Sequence, residues 1–295
     1  MVRLRVTAKR PTPLPDVNLI EITDFNTAFD IDIYAQKDDA EPYLYEKVTF
    51  TPEGIPPISP LPPIVEGAVI YDSNVNGKWN NGEKRTVTKT EGDIKPNGKG
   101  LWMAASGKPR LEILGDGSAN LICDPGHGRF YVAACNFNAR LELEFALSKE
   151  SDNLSLKLRS RHQQGGDCEN RFGGYGCSIS LTDVGMKRED CHNIHSNSKS
   201  KDLPQRLKTD TWYGAKFSVF NDKENKKVNY LCQTDFKDGK GFIPVLSHVD
   251  PSPKAYMMNK ESFKQASYFW VRQNNEEKAT IRVRNLKLID LDVKA

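Results

Sequence analysis

Twelve residues at positions 72–83, DSNVNGKWNNGE, match the spacing of a calcium-binding loop. The expected oxygen donors are Asp72, Asn74, Asn76, the main-chain carbonyl of Lys78, and Glu83. Calcium takes about six to eight oxygen ligands, and alternate loop positions can supply them. The sequence therefore predicts a structural Ca²⁺ ion. The alternative is an Asn-Gly-rich hairpin loop that has this spacing by chance.

A second group of residues with chemical potential is the run LKLRSRH at positions 156–162. Period-two alternation would place Leu156 and Leu158 in a core and the basic residues on the opposite face. The basic residues are Lys157, Arg159 and Arg161. Guanidinium groups in a row suit carboxylates or sulfates, which arginine binds in a bidentate manner. A solvated outer face with surface ion pairs is the alternative.

The segment CENRFGGYGCSIS, residues 168–180, surrounds Tyr175 with glycines. Glycine allows the main chain to approach another group closely, and that group would be a ligand in a cleft, a bulge or a neighbouring strand. Further on, His192 and His195 are three residues apart, but Ser and Asn surround them and no third metal ligand is evident. The sequence contains no phosphate loop or dinucleotide fingerprint, so no organic cofactor is expected.

The six cysteines, at positions 123, 135, 168, 177, 191 and 232, have no Cys-x-x-Cys spacing. An even number of cysteines in a β-rich chain favours disulfides, and Cys168–Cys191 is the preferred pair because both lie in polar loop sequence. Buried free thiols are the alternative. We expect an extracellular or cell-surface protein, although no apolar signal segment follows Met1.

Composition excludes several classes of protein. Forty-two basic and 39 acidic residues leave a net charge of +3, which argues against a dedicated nucleic-acid-binding protein. The mean hydropathy is −0.60, and the sequence contains no apolar run long enough to predict a membrane span.

Short alternating runs bounded by Gly, Asn, Asp and Pro dominate the chain, as is typical of an all-β sandwich. We predict a small β-rich N-terminal unit (1–51), a proline-rich linker (52–66) and a two-sheet antiparallel jelly-roll domain (67–295). The polar stretch 182–211 is predicted to be a long loop, and a short helix is plausible near residues 259–266.

Three segments of the second domain occur in an order similar to that of a known family. They are ARLELEF (139–145), LRSRH (158–162) and SYFWVRQNN (267–275). In this order, over about residues 139–295, the chain resembles the concanavalin A-like jelly-roll polysaccharide lyases of the alginate lyase type. Arg140 and Glu142 match one strand of that family and His162 ends another. Ser160 and Trp270 replace the family's glutamine and lysine, and the family's catalytic tyrosine has no clear match.

The resemblance implies that strands 154–162 and 267–273 are neighbours on one concave sheet, where they would build a catalytic groove. Arg159 or Arg161 would neutralise a uronate carboxylate, His162 would take the C5 proton, and Tyr175 would act as acid or base. His162 reaches this face only if a bulge interrupts the alternation or the strand ends at Ser160. The expected substrate contacts are Asn170, Arg171, Trp270, Arg272 and Gln273.

The resulting functional hypothesis is a polysaccharide lyase that cleaves a uronic-acid-containing polysaccharide by β-elimination. The first alternative is a non-catalytic carbohydrate-binding, adhesion or structural module. A glycoside hydrolase is a further alternative, with Glu142 and Glu144 as its nearest pair of carboxylates. Each of these carbohydrate hypotheses predicts a polysaccharide as the partner. No nucleic-acid partner and no membrane span are expected.

Overall fold

A computed structural model of the protein describes thirteen parts of the chain. They are residues 29–35, 43–50, 64–88, 101–104, 109–123, 126–133, 137–162, 172–189, 195–222, 226–253, 258, 267–275 and 279–293. The chain divides into two units, Met1–Pro60 and Leu61–Ala295. No helix among these residues is long and apolar enough to cross a membrane.

The first unit contains an antiparallel pair of strands, β1 (Phe29–Ala35) and β2 (Tyr43–Phe50), with a register shift between Ile33 and Tyr34. Both strands have the bounds that the alternating sequence predicts. The sequence also predicts two strands upstream, at 2–7 and 18–23, and both lie outside the described residues.

The second unit is built from two sheets. The first sheet has seven strands in the order β13-β12-β11-β10-β17-β8-β5, and every neighbouring pair is antiparallel. Its strands are β5 (Leu101–Ala104), β8 (Gly126–Ala133), β10 (Leu154–His162), β11 (Phe172–Ile179), β12 (Asp183–Glu189), β13 (His195–Asp202) and β17 (Ser267–Asn275).

The second sheet has nine strands, eight of them in the order β16-β15-β14-β9-β18-β7-β6-β4, while β3 also pairs with β18. Its strands are β3 (Ile64–Asp72), β4 (Arg85–Val87), β6 (Arg110–Ile113), β7 (Ser118–Cys123), β9 (Ala139–Leu147), β14 (Tyr213–Asn221), β15 (Val228–Asp235), β16 (Phe242–Asp250) and β18 (Ala279–Val293). The long β18 pairs with β7 through its first half and with β3 through its second.

The core lies between the two sheets, because alternate residues of the central strands point inward. Leu141, Leu143 and Phe145 of β9 are at most 1% exposed, and Leu156 and Leu158 of β10 are completely buried. This arrangement confirms the predicted all-β, two-sheet antiparallel sandwich.

The prediction of a loop over residues 182–211 was wrong, since β12 and β13 lie within it and occupy half of its length. In β12 only Val184 and Met186 are apolar and buried, so its alternation is short, and β13 is an entirely polar edge strand. The predicted linker also ends early, because β3 begins at Ile64. The predicted helix near residues 259–266 lies outside the described residues.

Candidate functional site

A β-bulge interrupts β10 at the basic run and decides where its side chains lie. Leu158 pairs with Tyr175 of β11, but Arg161 pairs with Gly173, so one extra residue is inserted in β10. Arg159 has a φ of +49° at this point. The sequence hypothesis for His162 required a bulge or a strand end here, and the structure contains the bulge.

Gly174 lies opposite the bulge and makes it possible. Its φ is +146°, and a Cβ atom there would lie 2.7 Å from the carbonyl oxygen of Leu158 and 2.9 Å from that of Arg159. Of the partners that the glycine-rich segment could approach, Gly174 therefore approaches the bulged neighbouring strand.

The bulge turns Arg159 into the interior rather than onto the outer face that simple alternation predicts. Its side chain is completely buried, and its Nε and Nη2 donate to the Phe137 carbonyl (2.5 Å) and to Asn138 Oδ1 (2.9 Å). The guanidinium carbon lies 4.3 Å from the centre of the Phe137 ring. Burial lowers the pKa of Arg159 to about 9. Arg159 therefore joins β10 of the seven-stranded sheet to the segment that leads into β9 of the other sheet.

Tyr175 is also completely buried and also joins the two sheets. Its hydroxyl donates to Asp250 Oδ2 at 2.7 Å, and Arg188 Nη1 donates to the same oxygen at 2.7 Å. Asp250 Oδ1 accepts the main-chain N–H of Ser252 at 3.1 Å. We call Tyr175, Arg188 and Asp250 the intersheet cluster.

The surroundings of Tyr175 do not favour proton transfer to a polysaccharide. Burial and the adjacent Asp250 carboxylate raise its pKa, which keeps the phenol protonated, whereas a general base must give up its proton. Arg159 and Tyr175 are close enough to interact electrostatically. Their described hydrogen bonds are all with groups of the sandwich itself. These contacts support an architectural role for the two residues.

A second charged group lies on the other face of the seven-stranded sheet. Lys157 alternates with the buried Leu156 and Leu158, forms an ion pair with Glu189 of β12, and is only 1% exposed. Lys187 Nζ lies 3.2 Å from Glu189 Oε1, and its side chain is 36% exposed. We call Lys157, Lys187 and Glu189 the outer-face cluster.

Sequence reasoning missed Lys187 and Glu189 because it assigned their segment to a loop. The signal was present in DVGMKRE (183–189), where the buried Val184 and Met186 alternate with polar positions. On a strand, residues 187 and 189 share a face, and β12 lies two strands from β10.

The structure does not describe the side chains of the other residues predicted to line the groove. Asn170 and Arg171 are not described, and only the main chain is described for Arg161, His162, Trp270, Arg272 and Gln273. Strands β10 and β17 are neighbours, as the resemblance implied, with Trp270 opposite Lys157 and Arg272 opposite Ser155. The roles proposed for these side chains remain predictions.

The nine-stranded sheet carries Glu142 and Glu144, the carboxylates considered for hydrolysis, on its outer face. Glu144 accepts from Lys237 Nζ (2.5 Å) and Arg284 Nε (2.6 Å), and Lys216 Nζ lies 3.2 Å from Glu142 Oε2. Burial alone would raise the pKa of Glu144, but Lys237 and Arg284 outweigh it and lower the value. A hydrolase needs one acid with a raised pKa, and Glu144 has the opposite shift. The described contacts of Glu142 and Glu144 therefore support ion pairing rather than hydrolysis.

Exposed tryptophans can stack on sugars, but two of the tryptophans in this chain have partners within the protein. Trp79 is completely buried and lies 6.3 Å from the Phe130 ring. Trp212 contacts the guanidinium groups of Arg282 and Arg284, at 4.9 and 4.3 Å from its ring centre. Their described contacts therefore support packing rather than sugar stacking.

The loop at 72–83 folds around its own hydrogen bonds. Asn76 Oδ1 accepts the main-chain N–H of Asp72 at 2.9 Å, and the Lys78 carbonyl accepts from Arg85 Nη1 at 3.3 Å. Glu83 Oε2 accepts from Asn81 at 3.0 Å. No group of three or more His, Cys, Asp or Glu side chains in the described parts of the chain could hold a metal ion. Asn76, Lys78 and Glu83, three of the predicted oxygen donors, thus accept hydrogen bonds within the protein, and the Ca²⁺ ion remains a prediction from the sequence.

No protein-family model and no curated protein matches this sequence. Among solved structures, the chain is similar to the exoplasmic/lumenal domain of VIP36 in a form bound to Ca²⁺ and Man3GlcNAc. The TM-score is 0.43 and the identity 12%, over 66% of this chain and 85% of that chain.

Two further structures have comparable values. The carbohydrate recognition domain of Emp46p in its potassium-bound form gives a TM-score of 0.41 and 10% identity over 64% of this chain and 87% of that chain. A Bacillus subtilis protein of unknown function with a galectin-like fold gives a TM-score of 0.46 and 13% identity over 79% of this chain and 100% of that chain. At identities of 10–13% and TM-scores below 0.5, these three structures assign no function to this chain.

Proposed function

We propose that the second unit is a non-catalytic module that binds an anionic polysaccharide through the outer face of its seven-stranded sheet. The observation that carries this proposal is the outer-face cluster, in which a buried lysine and a partly exposed lysine hold one carboxylate. It replaces the lyase hypothesis as the preferred function because the described contacts of Arg159 and Tyr175 lie within the sandwich.

The outer-face cluster offers the two kinds of group that an acidic sugar requires. Lys187 presents an ammonium group for a uronate carboxylate, and Glu189 presents acceptor oxygens for sugar hydroxyls. The ion pair with the buried Lys157 fixes the position of Glu189, so Glu189 would lose little side-chain freedom when a ligand binds. A polysaccharide partner agrees with an extracellular or cell-surface location, which is part of this proposal.

Strand β17 extends the proposed surface beside the cluster. Its register places Trp270 opposite Lys157 and Arg272 opposite Ser155. An aromatic residue and an arginine at these positions agree with a surface for an acidic sugar. This part of the proposal concerns positions in the sheet and predicts that substitutions at Trp270 and Arg272 weaken binding.

The test is a titration of the full chain against polyuronates, sulfated polysaccharides and neutral glucans by isothermal calorimetry. We expect binding to the anionic polymers that weakens as salt is added, because exposed charges are screened. Lys187→Ala should weaken binding by about tenfold or more, as expected for a lost hydrogen bond between charged groups. Lys227→Ala is the matched control, since it removes an exposed lysine from the turn before β15.

The same samples distinguish binding from elimination. A lyase would create an unsaturated sugar, and its ultraviolet absorbance would grow with time. Such growth in the wild-type chain, reduced in His162→Ala or Tyr175→Phe, would restore the lyase hypothesis. Equal binding by wild type and Lys187→Ala would contradict the proposed surface.

A further inference from the structure

Two cysteines from opposite sheets meet in the core of the sandwich. Cys177 lies on β11 of the seven-stranded sheet and Cys232 lies on β15 of the nine-stranded sheet. Their Sγ atoms are 2.8 Å apart, and the residues are 2% and 0% exposed. The two thiols are free in the structure, and their sulfur atoms are in direct contact, although farther apart than the ~2.05 Å of an S–S bond.

The packing next to the two thiols fixes their positions independently. Two residues earlier on each strand, the rings of Tyr175 and Tyr230 are in contact, with their centres 5.1 Å apart and their planes tilted by 50°. Successive inward-facing positions of β11 therefore meet successive inward-facing positions of β15. The hydrogen bond from Tyr175 to Asp250 of β16 holds the same part of the two sheets together.

We propose that Cys177 and Cys232 form a disulfide that covalently joins the two sheets when the chain folds in an oxidising compartment. The oxidant is a low-molecular-weight disulfide such as oxidised glutathione. One cysteine thiolate attacks it and expels a glutathione thiolate, and the second cysteine then attacks the mixed disulfide and expels another. Two electrons and two protons pass from the cysteines to the oxidant, which leaves as two molecules of reduced glutathione.

The burial of the pair dictates when this reaction happens. Attack requires the thiolate and access to the oxidant, while burial raises the pKa of Cys177 in the folded protein. The bond therefore forms during folding, before the sheets close over the thiols. Fully folded, reduced protein should react slowly with the same oxidant.

The bond would stabilise the sandwich because it links residues that are 55 positions apart in the chain. A cross-link of this kind restricts the unfolded chain more than the native one. From typical values for native disulfides and for domains of this size, we expect the oxidised protein to melt about 4–16 °C above the reduced protein.

The direct test is a peptide map of the full chain refolded with reduced and oxidised glutathione, then alkylated in denaturant and digested with trypsin. Cleavage after lysine and arginine places Cys177 in peptide 172–187 and Cys232 in peptide 228–237, and each peptide holds one cysteine. We expect these two peptides to be joined. The same map tests the predicted Cys168–Cys191 pair, whose peptides are 162–171 and 189–199.

Melting experiments supply the control. The melting temperature of wild type should fall with reductant, that of the double variant Cys177→Ala/Cys232→Ala should not respond, and that of Cys168→Ser/Cys191→Ser should still fall. If the first double variant does not fold, the wild-type map decides alone. Alkylation of both Cys177 and Cys232 after oxidative refolding, or the joining of either to another cysteine, would overturn the proposal.

Discussion

Removal of the Asp250 carboxylate should destabilise the second unit strongly, because three donors converge on it in the core. Asp250 is 1% exposed and accepts from Tyr175, Arg188 and the main-chain N–H of Ser252. In Asp250→Ala, the Arg188 guanidinium would stay in a site that leaves its side chain only 10% exposed, but without this carboxylate. Loss of one partner of a buried charged pair typically lowers the free energy of unfolding by about 3–5 kcal/mol.

A matched pair on the surface separates burial from distance. Arg206 Nη2 and Glu150 Oε1 are 2.9 Å apart, close to the 2.7 Å between Arg188 and Asp250, but their side chains are 60% and 79% exposed. Exposed pairs contribute about 0–1 kcal/mol. Glu150→Ala should therefore change the free energy of unfolding by less than about 1 kcal/mol.

The assay is guanidinium unfolding followed by tryptophan fluorescence, together with calorimetric melting. At about 2–4 °C per kcal/mol for a domain of this size, Asp250→Ala should melt about 6–20 °C below wild type. Tyr175→Phe removes a single hydrogen bond to the carboxylate and should lower the free energy of unfolding by about 1.5–3 kcal/mol. If Asp250→Ala does not fold, the stability of Tyr175→Phe still tests whether the contacts of this carboxylate stabilise the second unit. An Asp250→Ala protein no less stable than Glu150→Ala would refute the reasoning.

Two other substitutions test the bulge and the pH dependence. In denaturant titrations, Gly174→Ala should lower the free energy of unfolding by about 1–3 kcal/mol, because the new Cβ would meet the Leu158 carbonyl at a φ of +146°. Gly176→Ala is the control and should change the free energy of unfolding little, since its Cβ would lie 3.6 Å from the nearest atom. Burial, helped by Lys199, lowers the pKa of His248 below 6.5 although Asp250 opposes the shift, so the unfolded chain binds this proton more tightly. The stability contributed by neutral His248 is present above about pH 6.5 and is lost as the pH falls through the pKa of His248 in the folded protein. The melting temperature should therefore fall on acidification, and it should fall less in His248→Gln. An equal dependence of melting temperature on pH in the two proteins would contradict this assignment.

Much of the strand pattern could be predicted from the sequence because alternation and turn residues act locally. Strands β1, β2, β7, β9 and β10 have the bounds that their residues predict. The sequence failed where a strand draws its stability from its neighbours. The polar edge strand β13 has no apolar face of its own, and its hydrogen bonds to β12 appear only once the sheet is assembled.

The inward-facing polar residues of β12 and β16 were harder still to predict. Arg188 lies at a core-facing position of β12, where a charge disfavours a strand assignment unless its partner is known. That partner, Asp250, is 62 residues away at the end of β16, a strand that the sequence pattern also missed. The meeting of Cys177 and Cys232 was hidden for the same reason, because the contact depends on how two separate sheets stack.

The bulge in β10 explains why the predicted catalytic row does not lie along one face. Regular alternation would place Lys157 and Arg159 on one side of the sheet, and the single inserted residue sends Arg159 into the core while Lys157 stays outside. The glycine that permits the bulge was visible in the sequence, but its position opposite Leu158 was not, since strand register depends on the whole sheet. Among the side chains that the structure describes on the outer face, two lysines are held by one carboxylate, an arrangement that suits the binding of an acidic polymer better than removal of a proton from it.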